Sequence, residues 1–221
     1  LTLTSSASQF SGDAGFTALQ LRTDLQLSLD QLNHSAIKPL SWQWQAKLQG
    51  DLSRLSLEGN LTNSASLQLS HQVQYAPDNI SIDWQLGDMF LLAGNPLSDS
   101  LTAWPPLLEL NRGRLSASGT LSLLPALNAT AQLQLSGISG IYDRSLFQDL
   151  TAPLQLHYQS NQLQISTTAA KLTEINHGII AGPLTLTAQY QANTGAITAG
   201  TLAISQLQLQ AMGGQVQLQP Q

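Results

Sequence analysis

The residues able to carry out chemistry are few and far apart. Four histidines, His34, His71, His157 and His177, stand in separate segments, whereas a zinc site needs about three such ligands at short, matched spacings. His71 and His157 fall in strand patterns and are expected as packing or partly exposed side chains. Asp and Glu lie mostly in turns or on polar faces, and no pair is locked by sequence into acid and base roles. Gly213-Gly214 is followed by neither a helix nor a lysine, so it does not read as a phosphate loop and is expected as a bulge. With no cysteine, disulfides and thiolate metal sites are excluded. Trp42, Trp44 and Trp84 could stack on sugars, yet they share parity with the neighbouring leucines and belong to an apolar face. Trp104, beside Pro105 and Pro106, is expected to pin an irregular segment. The chain reads as a non-enzyme with no cofactor and no metal.

What the sequence does carry is alternation. From Leu19 to Asp30, Leu19, Leu21, Thr23, Leu25, Leu27 and Leu29 fall on one side and Gln20, Arg22, Asp24, Gln26, Ser28 and Asp30 on the other, the pattern of a strand with one apolar face. Leu40, Trp42, Trp44, Ala46 and Leu48 repeat it. Gly50-Asp51 and Gly59-Asn60 are expected as turns around Leu55 and Leu57, and Ala76-Pro77-Asp78-Asn79 as a turn between Leu67, Leu69, Val73 and Tyr75 and the run Ile80, Ile82, Trp84 and Leu86. Between Gly87 and Pro106 the period breaks. Asp88 would cap a helical turn through Met89, Phe90, Leu91 and Leu92, with Gly94-Asn95-Pro96 blocking regular structure after it. Met89 to Leu92 is expected as buried packing rather than a mobile lid.

Strands resume with Leu115, Ala117, Leu121 and Leu123, then Leu133 and Leu135. The step from Leu135 to Ile138 is three residues, so Gly137 and Gly140 are expected to bend the strand, as are Gly213 and Gly214 further on. Tyr142-Asp143-Arg144 reads as a turn, and Leu154, Leu156 and Tyr158 form a hairpin through Ser160-Asn161 with Leu163 and Ile165. After an irregular stretch from Glu174 to Gly182 come Leu184, Leu186, Ala188 and Tyr190, a turn at Asn193-Thr194-Gly195, then Leu202, Ile204, Leu207 and Leu209, and finally Val216 and Leu218. No long amphipathic helix and no fixed repeat is visible, so the fold class is all-β: a long, curved, mostly antiparallel sheet.

Only 10% of residues are charged, against about a quarter in an ordinary domain. A formal net charge of −5 and a pI near 5.1 speak against nucleic acid or an anionic membrane surface as partner. The sequons at Asn33, Asn60, Asn79 and Asn128 are read as chance in a chain rich in Asn, Ser and Thr. No apolar run reaches the roughly 20 residues of a membrane-crossing helix. Leu1-Thr2-Leu3-Thr4 reads as neither a signal peptide nor a start, so a fragment is expected whose anchor lies outside it.

Strands of about eight residues, on the order of 14 of them, would expose far more apolar surface than the few hundred Å² usual for a soluble monomer. Either two sheet halves close at about 10 Å into a dry core, or they stand further apart and hold lipid; parity is the same in both. The face in question comprises Leu25, Leu27, Trp42, Trp44, Leu67, Leu69, Ile82, Trp84, Leu121, Leu133, Leu135, Leu154, Leu156, Leu163, Ile165, Leu184, Leu186, Leu202, Ile204, Leu207, Leu209, Val216 and Leu218. The expected organisation is residues 1–86 as one half, 87–106 as a crossing segment or short helix, and 107–221 as the other half.

From Trp104 onward the order of features resembles the C-terminal region of the YdbH family, also called the dicarboxylate transport domain family, within the AsmA-like group that includes TamB. Trp104-Pro105 with Leu108, Leu110 and Gly113, Leu135-Ser136-Gly137-Ile138-Ser139-Gly140, Phe147-Gln148-Asp149-Leu150, Ile175-Asn176-His177-Gly178 with Ile179, and Leu209-Gln210-Ala211-Met212-Gly213-Gly214 carry it. The resemblance implies an open β-taco with an apolar inner face, in a Gram-negative envelope protein that crosses the periplasm. It further implies an N-terminal inner-membrane anchor, phospholipid moved between inner and outer membranes, and a small outer-membrane lipoprotein that docks by strand addition. No Arg or Lys has the inner parity that a dicarboxylate site would need. The alternative is a structural or adhesive β-sandwich with a dry core; a carbohydrate-binding sandwich would need outward aromatics.

Overall fold

Alternation of leucine with glutamine or serine leaves an extended chain one side to bury, and every long element of the protein is accordingly a strand. The computed structural model describes residues 2–12, 20–32, 34–51 and 53–218; Leu1, Leu19 and Asn33 lie outside the described residues. The strands are β1 (Thr2–Ser11), β2 (Gln20–Leu29), β3 (Trp42–Gly50), β4 (Leu55–Asn63), β5 (Gln68–Ala76), β6 (Asn79–Phe90), β7 (Leu108–Leu124), β8 (Asn128–Tyr142), β9 (Ser145–Gln159), β10 (Gln162–Leu172), β11 (Glu174–Asn176), β12 (Ile180–Asn193), β13 (Thr201–Ala211) and β14 (Gly214–Leu218). They form one 14-stranded sheet in chain order, with short β11 set between β9 and β12. The expected meander is what folds, and from β7 on several strands run to 15 or 17 residues, well beyond the eight expected.

By contacts the chain divides into two units, Leu1–Gly87 with Pro96–Ala103 and Ser118–Asn128, and Asp88–Asn95 with Trp104–Ala117 and Ala129–Gln221. In the first unit β1 to β5 and the start of β6 pair antiparallel in long uninterrupted register, with one shift in β1 between Ser6 and Gln9. Asp51 closes the turn after β3 by accepting from the Ser53 hydroxyl and from the backbone N–H groups of Ser53 and Arg54. These bonds hold its carboxyl below the usual value, the Ser53 hydroxyl contributing most. Pro77 and Asp78 form the two-residue turn expected between β5 and β6.

One expected break in this unit is absent, and one residue expected in a strand lies outside the strands. Gly59-Asn60 is not a turn: β4 runs straight through it, because Gly59 leaves room for a ring on the neighbouring strand. Leu67 is not in a strand but in the β4–β5 connection, where its N–H donates to the side-chain oxygen of Asn63 and its carbonyl accepts from the Asn63 N–H.

The helical turn expected from Asp88 is also absent. β6 continues to Phe90, with Met89 and Leu91 buried and Asp88 paired to Arg114, so the extended chain already satisfies these residues. A 3₁₀ turn follows at Leu91–Ala93, and helix α1 (Pro96–Ser100) starts at the proline expected to block it. A proline suits a first helical position, where its missing N–H would have had no partner. Trp104 donates from Nε1 to the Leu108 carbonyl at 2.9 Å and so fixes the entry to β7.

In the second unit bends recur along neighbouring strands. Gly113 in β7, Gly137 in β8 and Asp149 in β9 all adopt positive φ, and register shifts follow in β10 between Thr167 and Ala170 and in the β12–β13 pairing between Thr187 and Ala188. Met89, Leu91, Leu115, Ile138, Ala152 and Leu172 are buried in this unit. Gly140 has ordinary backbone angles; it is small because a Cβ would run into the Glu109 carbonyl, a close approach rather than a bend. Gly213 is likewise not a bulge. Met212 and Gly213, both at positive φ, make the two-residue turn between Ala211 and Gly214, the primed geometry that hairpins favour. Ser160 and Asn161 do the same between β9 and β10, as expected. The stretch expected to be irregular at 174–182 contains β11.

Candidate functional site

Register decides which apolar side chains become neighbours. In the first unit Leu27, Trp44, Leu61, Leu69 and Leu86 stand opposite one another across β2 to β6 and make one continuous row. The next row is Leu25, Ala46, Gly59, His71 and Trp84, and the one after it is Thr23, Leu48, Leu57, Val73 and Ile82. Leu21, Gly50, Leu55, Tyr75 and Ile80 form a fourth. The opposite side carries the charges: Asp24, Lys47, Glu58, Gln72 and Asp83 share a row with opposite signs adjacent. Trp42, Trp44 and Trp84 are thus on the apolar side, as their parity predicts.

Besides Tyr75 at the end of the face, His71 is the one ionisable side chain in those apolar rows. Gly59 and Ala46 are small, and the imidazole fills the dip they leave, its Cε1 lying 2.6 Å from where a Cβ on Gly59 would be. Nδ1 is 2.7 Å from the Gly59 carbonyl, which can only accept, so Nδ1 carries the proton. Nε2 is then the acceptor for Trp44 Nε1–H at 3.0 Å, and the two rings pack tilted at 6.1 Å. The ring is spent on levelling the face, not on catalysis. The other histidines lie elsewhere: His34 accepts from the Ala36 N–H, His157 meets Gln159, and His177 meets the Ser145 hydroxyl at 2.9 Å on an exposed surface, with no carboxylate bonded to its other nitrogen among the described residues.

In the second unit Leu156, Ile165, Tyr190 and Leu202 form one row and Leu154, Thr167, Ala188 and Ile204 the next. Beyond the register shifts, Ala170, Leu186, Leu207 and Leu218 line up, followed by Leu172, Leu184, Leu209 and Val216. Leu163 pairs with Tyr158 and Ala192, while Leu133 and Leu135 in β8 are half-buried in their strand; Leu121 in β7, in the first unit, is half-buried as well.

Burial is the informative property of this face. Of the residues expected on it, only Trp42 is buried; the others are half-buried or exposed, reaching 59% exposure at Leu202 and 55% at Val216. A dry sandwich would bury its facing leucines nearly completely. Comparison with protein families matches the whole chain, residues 1–221, to the YdbH-like family, described as intermembrane phospholipid transport protein YdbH. The chain belongs to the YdbH-like family. No curated protein and no solved structure matches it. The family match extends through the first unit, where the resemblance read from sequence began only at Trp104. No helix among the described residues is long and apolar enough to cross a membrane.

Register adds face residues of this YdbH-like chain that parity missed. Leu61 completes the Leu27–Leu86 row of the first unit, and Ala170 and Leu172 continue the face of β10 past its register shift. Parity alone hides the last two, since Leu163 and Ile165 are odd and Leu172 even. The available signal was the Thr167-Thr168-Ala169-Ala170 run, which breaks the alternation without a glycine.

Proposed function

We propose that this chain is a lipid-carrying segment of a periplasmic, inner-membrane-anchored envelope protein, in which phospholipid acyl chains lie against the apolar rows while moving between inner and outer membranes. The observation that carries the reading is the register-matched yet only half-buried apolar face in each unit. Its scale fits. The row from Leu27 to Leu86 crosses four inter-strand steps of about 4.8 Å, about 19 Å in all; half of a roughly 30 Å hydrocarbon core, one leaflet's worth of chain, is about 15 Å. In this reading an inner-membrane anchor holds the protein, and a small outer-membrane lipoprotein would dock by adding a strand.

Site-specific photo-crosslinking in cells tests this. Crosslinkers at Leu27, Leu135, Leu156 and Leu186 are expected to capture phospholipid, and those at Gln26, Gln134, Gln155 and Thr185 are not. Capture only from the second set would refute the reading.

A further inference from the structure

One end of the first unit's apolar face is covered. Residues 96–102 run as a strap tied to the β2–β3 connection: the Lys38 N–H donates to the Ser100 carbonyl at 2.8 Å, the Thr102 N–H to the Ala36 carbonyl at 3.1 Å, and Ile37 bridges to Leu101. The Lys38 ammonium also reaches the Ser98 carbonyl at 2.7 Å. Asn63 locates the strap on the sheet. Asn63 stands opposite Trp42, so both side chains project from the same side, and Asn63 Nδ2 donates to Ser100 Oγ at 2.8 Å. Ser100, with no exposed surface, therefore sits over the end of the row Leu29, Trp42 and Asn63.

Beneath the strap is an unmet donor. Trp42 is only 7% exposed, and its indole Nε1–H has no acceptor among the described residues, whereas Trp44, two residues on, gives its N–H to His71. A buried unpaired N–H is costly to keep. Trp42 also stands where the apolar rows give way to polar side chains, the level at which an indole suits the ester region of a lipid better than its tails.

We infer that Trp42 Nε1 is the seat for an acyl-ester oxygen of a phospholipid, and that the 96–102 strap is the lid over that seat. The inference rests on the lipid-carrying reading above and adds to it a defined contact and a gate. When the strap lifts, the Leu29–Trp42–Asn63 row joins the apolar face, and the indole donates to the ester while the tails follow the neighbouring rows.

The test uses the chain's freedom from cysteine. A variant carrying Ile37→Cys and Leu101→Cys locks the strap by a disulfide when oxidised. It is incubated with phosphatidylcholine vesicles, in diacyl or dialkyl ether form, and the lipid retained is counted by native mass spectrometry. The oxidised variant is expected to load diacyl lipid about tenfold less than the reduced one. In the wild type, diacyl lipid should load about fivefold better than dialkyl lipid, the effect of one neutral hydrogen bond, and Trp42→Phe should erase that preference. Equal loading with the strap locked or free, or a diacyl preference that survives Trp42→Phe, overturns the inference while leaving lipid carriage standing. If neither lipid loads on the wild type, lipid carriage itself fails and the seat falls with it.

Discussion

Gly59→Ala is the perturbation whose outcome is best determined by the geometry. Gly59 lies mid-strand with no positive φ, so alanine there should stabilise an open strand by about 0.5–1 kcal/mol. The space forbids it. The new Cβ would stand 2.6 Å from His71 Cε1 and 2.8 Å from both the Ala46 Cβ and the Gln45 carbonyl oxygen, where ordinary carbon contacts are about 3.5–4.0 Å. The imidazole must leave, and with it go the bonds to the Gly59 carbonyl and from Trp44 Nε1, each worth about 1 kcal/mol. Crowding against Ala46 and Gln45 adds about 1 kcal/mol more.

The expected loss is therefore about 3 kcal/mol for Gly59→Ala and about 2 kcal/mol for His71→Ala. In the double variant the two hydrogen bonds are lost only once, so the cost is about 3 rather than 5 kcal/mol, a coupling of about 2 kcal/mol. Equilibrium urea unfolding of the four proteins, followed by tryptophan emission, measures it, with equal slopes confirming a shared unfolded state. Additivity within about 0.5 kcal/mol would refute the argument that His71 is held by the dip at Gly59.

Three further outcomes follow from neighbouring contrasts. Leu135→Asp, on the half-buried face, should leave the far-ultraviolet circular dichroism intact while abolishing lipid capture; Ile138→Asp, at a side chain only 2% exposed, should unfold the protein, at a cost above about 4 kcal/mol. Gly137→Ala, at φ +60 with open space around it, should cost about 1 kcal/mol by denaturant titration, and Gly140→Ala, blocked by the Glu109 carbonyl and by Phe147, about 3 kcal/mol. Asp51 has its carboxyl held below the ordinary value of 3.8, so its contribution to stability is complete above that pH and is lost as pH falls through the lowered folded value. The difference in thermal midpoint between wild type and Asp51→Asn should accordingly be present at neutral pH and vanish in strong acid.

The apolar side of nearly every strand was legible because a period of two assigns faces without reference to any partner. What alternation does not contain is register, and register made Leu27, Trp44, Leu61, Leu69 and Leu86 one row. Glycine misled in both directions. Gly59-Asn60 has the composition of a turn, but its smallness serves the His71 ring; Gly213 has the composition of a bulge, but its positive φ serves a hairpin. The bends at Asp149 in β9 and between Thr167 and Ala170 in β10 use no glycine, and the second is marked only by the break in alternation at Thr167-Thr168-Ala169-Ala170. The strap was invisible for another reason: backbone hydrogen bonds between residues 34–38 and 100–102 depend on chain positions that no local pattern encodes.

The parity slips carry more meaning than the alternation they interrupt. A bulge turns every following side chain to the other face unless the sequence changes phase with it. Here the phase changes each time: Leu108 and Leu110 give way to Leu115 and Ala117 across Gly113, Leu133 and Leu135 to Ile138 across Gly137, Phe147 to Ala152 and Leu154 across Asp149, and Leu163 and Ile165 to Ala170 and Leu172 in β10. Leu202 and Ile204 give way to Leu207 and Leu209 in β13. In β10 and β13 strand regularity is given up while same-sidedness is kept. A sheet needing only a packed interior would show that compensation with the compensated residues buried. The compensated residues divide: Leu115, Ile138, Ala152, Ala170 and Leu172 are buried, whereas Leu154, Leu207 and Leu209 are only half-buried, so the phase changes serve a packed interior at the first set and keep the second on an apolar side that this chain leaves half-covered.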